Sequence, residues 1–331
     1  MVRHYLGIDD FTKSEYMDLF RRAEAFRAGG DFTDLCSGKV LGLLFLEEST
    51  RTLTSMQSAI IRLGGGWTGI TSKTGKDFAG SEFATKELVK VAKKRALQVR
   101  KEQHDVETLD EVLSTMASMS DIFAIRSNAN LEATVRDLKI PVIGCGFMGR
   151  HAIGGLWAPY SLWHLMGGKF GKINVGIYGA PAFSRVSISV VETLSRLADV
   201  TVYQDSVMPD GTITKSAIKG GNVKMVEGKM EDFLEELDLL VVSEGVFSYK
   251  DVAYNLKFAN KLRPLTPKLL ERAKDKLLIT CSEPGLMLNG RDNVDMGIRY
   301  NNDKYHASSY YLREGVFVNM AMMTFLLGVK I

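Results

Sequence analysis

Three hydroxyls and a guanidinium stand side by side at Ser49-Thr50-Arg51-Thr52. Hydroxyls donate hydrogen bonds to oxyanions, and the planar arginine fork fits two phosphate oxygens at once. The unpaired N–H groups of a helix start carry partial positive charge and draw anions to the same place. The plainer account is an N-cap serine beside an ordinary surface arginine. Four adjacent donors of the phosphate-binding type favour a phosphate cradle over that account.

Such a cradle needs a strand to deliver it and a helix to follow it. The apolar run Val40–Leu46 reads as a buried strand. Leu53, Met56, Ile60 and Leu63 recur at spacings of three and four, and Gly64-Gly65-Gly66 closes that helix. Upstream, Thr12-Lys13-Ser14-Glu15 is a capping box opening a helix with Tyr16, Leu19, Phe20, Ala23 and Phe26 on one face. Downstream, Trp67–Ile70, Ser120–Arg126 and Ile140–Gly146 read as strands, and a helix begins near Glu107. Between them lies a basic loop with Lys73 and Lys76, then a charged helix from about Glu82 to Gln103 that reads as a solvated face.

The second half alternates strand and helix. Ile173–Gly179 is a strand, a helix follows with Ile188, Val191, Leu194 and Leu197 inward, and Asp199–Tyr203 is the next strand. Asp238–Ser243 and Lys276–Cys281 add two more. This alternation predicts an α/β protein with doubly wound parallel sheets. The turn Ala180–Arg185 lacks G-x-G-x-x-G, which argues against a dinucleotide site. At 331 residues the chain suits two domains. Hydrophobic residues are 45% and charged residues 24%, with a net charge of +3 too small and too evenly spread to suggest nucleic acid. No apolar run reaches the roughly 20 residues of a membrane span, and the first residues lack a signal-peptide core. Cys36, Cys145 and Cys281 show neither disulfide nor zinc spacing. A cytoplasmic enzyme or binding protein without metal or cofactor is the expectation.

The segment Phe45-Leu46-Glu47-Glu48-Ser49-Thr50-Arg51-Thr52, followed by Ser55, Ala59 and Leu63-Gly64-Gly65, resembles the carbamoyl phosphate signature of the aspartate and ornithine carbamoyltransferases. The resemblance extends more weakly over nearly the whole chain, and is nearer the aspartate type. It implies two doubly wound parallel-sheet domains. Residues 1–150 would bind carbamoyl phosphate, completed by a C-terminal helix at about 308–331, and 151–307 would bind the acceptor. Ser49, Thr50, Arg51, Thr52, Arg126 and His151 would hold carbamoyl phosphate, with Arg51, Arg126 and His151 as the catalytic set. Arg185 would receive an α-carboxylate, and Glu244 and Glu283 would face the acceptor. Partners would be carbamoyl phosphate, an amino-acid acceptor and further copies of the chain, as a homotrimer or an assembly of trimers.

The sequence also departs from the family's pattern. The family's His-Pro-x-Gln is His151-Ala152-Ile153-Gly154, its His-Pro-Leu-Pro is Ser282-Glu283-Pro284-Gly285, and its usual arginine in the terminal helix is Asn319. A lysine supplied by a neighbouring subunit is replaced by Asp105, with Lys73 or Lys76 as possible substitutes. Aspartate carbamoyltransferases place an arginine and a glutamine where this chain has Glu244 and Val246. A carboxylate there would repel aspartate's side chain by about 4 kcal/mol at ~4 Å and an effective dielectric near 20. The ornithine-type local sequence is absent too. Two readings follow: a divergent carbamoyltransferase with an acceptor other than aspartate, or a non-catalytic paralogue that binds a phosphate ligand or a sister subunit.

Overall fold

The computed structural model describes residues 2–47, 49–71, 108–179, 182, 184–206, 212–219, 221–242, 267–273, 275–281, 305–306 and 308–331. Helix α1 (Lys13–Ala28) starts on the expected capping box. The Thr12 N–H donates to Glu15 Oε2 at 2.8 Å, and Thr12 Oγ1 accepts from the Glu15 N–H. Its buried face is Tyr16, Leu19, Phe20, Ala23 and Phe26, as the periodicity requires.

Four parallel strands then form a first sheet in the order β2-β1-β3-β4. In chain order they are β1 (Val40–Phe45), followed by α2 (Thr50–Arg62); β2 (Gly66–Thr71), with α3 (Leu109–Ser118) next among the described residues; β3 (Ile122–Ser127), followed by α4 (Glu132–Asp137); and β4 (Val142–Phe147). β1, β3 and β4 are almost wholly buried and apolar, which suits strands covered on both faces. Leu43 of β1 lies level with Gly69 on one side and Ala124 on the other.

After α5 (Gly154–Leu165) a second parallel sheet has the order β10-β9-β8-β5-β6-β7. It comprises β5 (Ile173–Gly179), α6 (Arg185–Leu197), β6 (Val200–Ser206), β7 (Val223–Glu227), β8 (Leu239–Val242), a single-turn α7 (Pro267–Leu270), β9 (Leu277–Cys281) and β10 (Tyr305–His306). The α/β class and the parallel sheets match the sequence expectation. Strands β7 and β10 were not anticipated. β7 is a half-exposed edge strand broken by Lys224 and Glu227, and β10 is two residues long.

Strand order places the site. In such sheets ligands bind beyond the carboxyl ends of strands, where successive connections leave in opposite directions. In the first sheet that point lies between β1 and β3, and in the second between β5 and β8. Glu47 to Thr52 follow β1, Arg126 closes β3, and Arg185 follows β5.

The last helix, α8 (Ser308–Leu326), returns to pack on α1, α2 and α5. Gly315 makes the approach to α5 possible, because a Cβ there would stand 2.6 Å from Trp157 Cδ2. Buried Glu314 pairs with Arg27 of α1 at 3.0 Å. α5 is apolar all round and buried from Gly154 to Trp163, as a helix between two layers must be. No helix among the described residues is long and apolar enough to cross a membrane.

Candidate functional site

Ser49 is the N-cap of α2, yet its hydroxyl makes no cap bond, and the first turn holds no acidic residue. The plainer account of a capping serine therefore fails on geometry. Among the described residues the Ser49 hydroxyl caps nothing, which leaves it and the first-turn N–H groups open to an outside acceptor. Thr50 is exposed, Ser49 and Arg51 are half-buried, and Thr52 is buried. Among the described residues Arg51 forms no hydrogen bond or ion pair.

Arg126 and Arg185 converge on one carboxylate that the sequence reading passed over. Glu47 Oε2 lies 2.6 Å from an Arg185 guanidinium nitrogen and 3.5 Å from Arg126 Nε. Arg185 also donates to Asn128 Oδ1 at 3.1 Å, and Arg126 donates to the Cys145 carbonyl at 3.3 Å. Glu47 thus ties the end of β3 to the start of α6, across the gap between the two sheets. A carboxylate inside a phosphate signature reads in sequence as a misfit; only the folded chain shows its two arginines.

His151 sits on the β4–α5 connection, buried, facing α2. Its Nε2 is 3.2 Å from Thr52 Oγ1, its Nδ1 accepts the Gly154 N–H at 3.0 Å, and its own N–H donates to Ser189 Oγ at 3.1 Å. Burial first, then the positive charges of Arg126 and Arg185, push its pKa well below the ordinary histidine value. The ring is neutral at neutral pH. The preceding Arg150 makes two contacts with Glu192 of α6, at 2.9 and 3.1 Å, and donates to the Ala217 carbonyl. Glu192 and Ser189 were not read as candidates, because in sequence they look like polar interruptions of an amphipathic helix.

A second buried chain supports the cradle from α8. Trp157 Nε1–H donates to Asn319 Oδ1 at 3.0 Å, Asn319 Nδ2–H donates to Ser55 Oγ at 2.9 Å, and Ser55 donates to the Thr52 carbonyl at 2.9 Å. Asn319, where the family resemblance led one to expect arginine, is therefore fully engaged. Burial pushes the Cys145 thiol far up, and neither Cys145 nor Cys36 is disulfide-bonded. Glu244, Glu283, Lys73, Lys76 and Asp105, and the expected charged helix from about Glu82 to Gln103, lie outside the described residues.

The arrangement joins an open helix N-terminus, the Arg51 guanidinium without a partner among the described residues, and two further arginines, at the end of β3 and just after β5. It suits an anionic substrate held by phosphate oxygens, with charge on neighbouring oxygens stabilised by fixed donors. These residues lie in a two-sheet α/β protein, beyond the carboxyl ends of its strands. Residues 3–156 match the model of the aspartate/ornithine carbamoyltransferase carbamoyl-P binding domain. An aspartate carbamoyltransferase catalytic subunit from Finegoldia magna is 28% identical over 338 residues, covering 99% of each chain. A similar subunit from Archaeoglobus fulgidus is 24% identical over 335 residues, covering 98% of this chain and 99% of its own. Among solved structures, the catalytic subunit of M. jannaschii aspartate transcarbamoylase superposes with a TM-score of 0.72 at 20% identity, covering 98% of each chain. The chain is thus similar to the aspartate/ornithine carbamoyltransferases, through the family model over residues 3–156 and through the relatives over nearly its whole length.

Proposed function

We propose that this protein transfers a carbamoyl group from carbamoyl phosphate to the amine of an amino acid. The observation that carries the reading is the uncapped start of α2, with Ser49, Thr52 and unpaired Arg51, set beside the Arg126–Glu47–Arg185 bridge. The amine nitrogen attacks the carbonyl carbon and forms a C–N bond. The C–O bond to phosphate then breaks, phosphate leaves with the electron pair, and the nitrogen gives up a proton. No protein nucleophile is needed; binding both substrates in line and stabilising oxygen charge supplies the acceleration. In this reading residues 1–150 with α8 hold carbamoyl phosphate, and 151–307 hold the acceptor through Arg185, Glu244 and Glu283. Arg185 would exchange Glu47 for the acceptor's α-carboxylate.

The acceptor we infer is an amino acid with a neutral or basic side chain, because Glu244 and Val246 follow β8 where the aspartate enzymes carry arginine and glutamine. The names of the relatives pull the other way, so the assay must include aspartate. Phosphate release from carbamoyl phosphate should be followed with aspartate, ornithine, lysine and diaminopropionate in parallel. Turnover with a basic amine and little with aspartate is expected. Efficient carbamoylaspartate formation would overturn the acceptor assignment. Silence with every amine would overturn transfer itself and leave the second reading, a phosphate-binding paralogue, which Gly154 in the place of the family's glutamine favours.

A homotrimer with sites near subunit boundaries completes the proposal, on the strength of the resemblance to the carbamoyltransferase family. Sedimentation at micromolar concentration is expected to give a mass near three chains; a monomer would rule out any role for Lys73 or Lys76 across a boundary.

A further inference from the structure

The hydrogen bonds around Thr52 have only one consistent direction. A backbone N–H can only donate, so the Gly154 bond makes His151 Nδ1 an acceptor. A neutral imidazole then carries its single proton on Nε2, which must donate to Thr52 Oγ1. With its oxygen accepting from the ring, the Thr52 hydroxyl proton turns elsewhere, and it has no acceptor among the described residues. The other end of Thr52 is held as firmly. The Trp157 indole is donor only, which fixes the Asn319 amide, and hence makes the Ser55 hydroxyl donate to the Thr52 carbonyl. Thr52 is thus gripped by α8 through its carbonyl and by the β4–α5 connection through its hydroxyl oxygen.

Gly154 is the residue that permits this ring position. A Cβ at 154 would stand 2.5 Å from His151 Nδ1 and 2.8 Å from Cε1, so any side chain there displaces the imidazole. A glutamine at 154, as in the family's pattern, would not leave the ring in this position.

We propose that His151 is a positioning residue, which through its Nε2 proton aims the Thr52 hydroxyl at an oxygen of the anion bound by the Ser49–Thr52 turn, and that Gly154 makes this possible. The inference rests on that turn being the anion site. It deepens the proposed function by assigning the neutral donor to Thr52 instead of His151.

The test uses the full chain and inorganic phosphate. Nitrogen-15 spectra of histidine-labelled protein, with His151 identified by its absence in His151→Gln, report the ring independently of any ligand. The expected result is a neutral Nε2–H tautomer at neutral pH and above, since burial and the charges of Arg126 and Arg185 hold the ring below the ordinary histidine value. An Nδ1–H tautomer or a cationic ring at neutral pH would overturn the inference. Calorimetry with phosphate supplies the second readout. Thr52→Val is expected to weaken binding roughly tenfold, the usual size for one hydrogen bond to a charged group. Gly154→Ala should weaken it by a similar factor. The double variant should bind no worse than Thr52→Val alone, because Gly154 acts only through that hydroxyl. Losses that multiply in the double variant would overturn the positioning role while leaving the anion site intact. A wild-type chain with the expected tautomer that binds no phosphate would instead remove the anion site, and the inference with it.

Discussion

Replacing Arg51 by alanine is expected to weaken binding of carbamoyl phosphate or inorganic phosphate by roughly ten- to a hundredfold while leaving the fold unchanged. The first half of that expectation follows from chemistry. An arginine donating to a phosphate is a charge-assisted, commonly bidentate contact, worth about 1.5–3 kcal/mol. The second half follows from what Arg51 does not touch. It is half-buried in the first turn of α2 and has no ion-pair partner among the described residues, so truncation strands no described carboxylate. Its neighbours behave differently. Arg126 and Arg185 share Glu47, and removing either leaves that half-buried carboxylate with one partner fewer. Their variants would mix lost binding with lost stability, whereas Arg51→Ala separates them. Calorimetric titration beside thermal unfolding makes the check; unchanged phosphate affinity would mean that the cradle assignment is wrong.

Much of the architecture was legible because the central strands are buried on both faces and so appear as apolar runs. Val40–Phe45, Ile122–Ser127, Val142–Phe147 and Ile173–Gly179 all lie within a residue or two of their expected places. The capping box read at Thr12 opens α1, and the helix expected near Glu107 is α3, opened by a second capping box at Thr108. What escaped was polar and tertiary. The buried face of α2 includes Thr52 and Ser55, hydroxyl residues that a hydrophobic periodicity counts as outward. Asn319 and Trp157 are 162 positions apart, and nothing local marks them as partners. Glu47 was in plain view inside the signature. A carboxylate among phosphate donors makes sense only when β3 and α6 bring two arginines to it. The departure at Gly154 reads in sequence as a missing donor. In the folded chain the same glycine supplies the N–H that fixes the histidine ring.

Breaking the Arg150–Glu192 pair is expected to lower stability strongly. Glu192 lies on α6, its side chain 3% exposed, and Arg150 precedes His151 on the connection from the first sheet. The carboxylate takes two contacts from Arg150 Nε and one N–H from Lys219. A buried ion that loses its partner keeps its desolvation cost, so breaking such a pair typically costs about 3–5 kcal/mol. Arg150→Ala is therefore expected to lower the urea midpoint markedly, with Glu192 left to Lys219 alone. Glu192→Gln should cost less, since the amide oxygen still accepts from Lys219 and the charge left without its counter-ion is that of the more exposed Arg150. Replacing both residues, as Arg150→Met with Glu192→Leu, should recover much of the loss, because two apolar side chains leave no ion unpaired. The pair also fixes the loop that presents His151 to Thr52, so Arg150→Ala should weaken phosphate binding even at temperatures where the chain stays folded. Equilibrium urea unfolding of the three variants decides the matter. A loss below about 1 kcal/mol in Arg150→Ala, the range of exposed ion pairs, would show that solvent reaches Glu192 and that the latch between the sheets is weak.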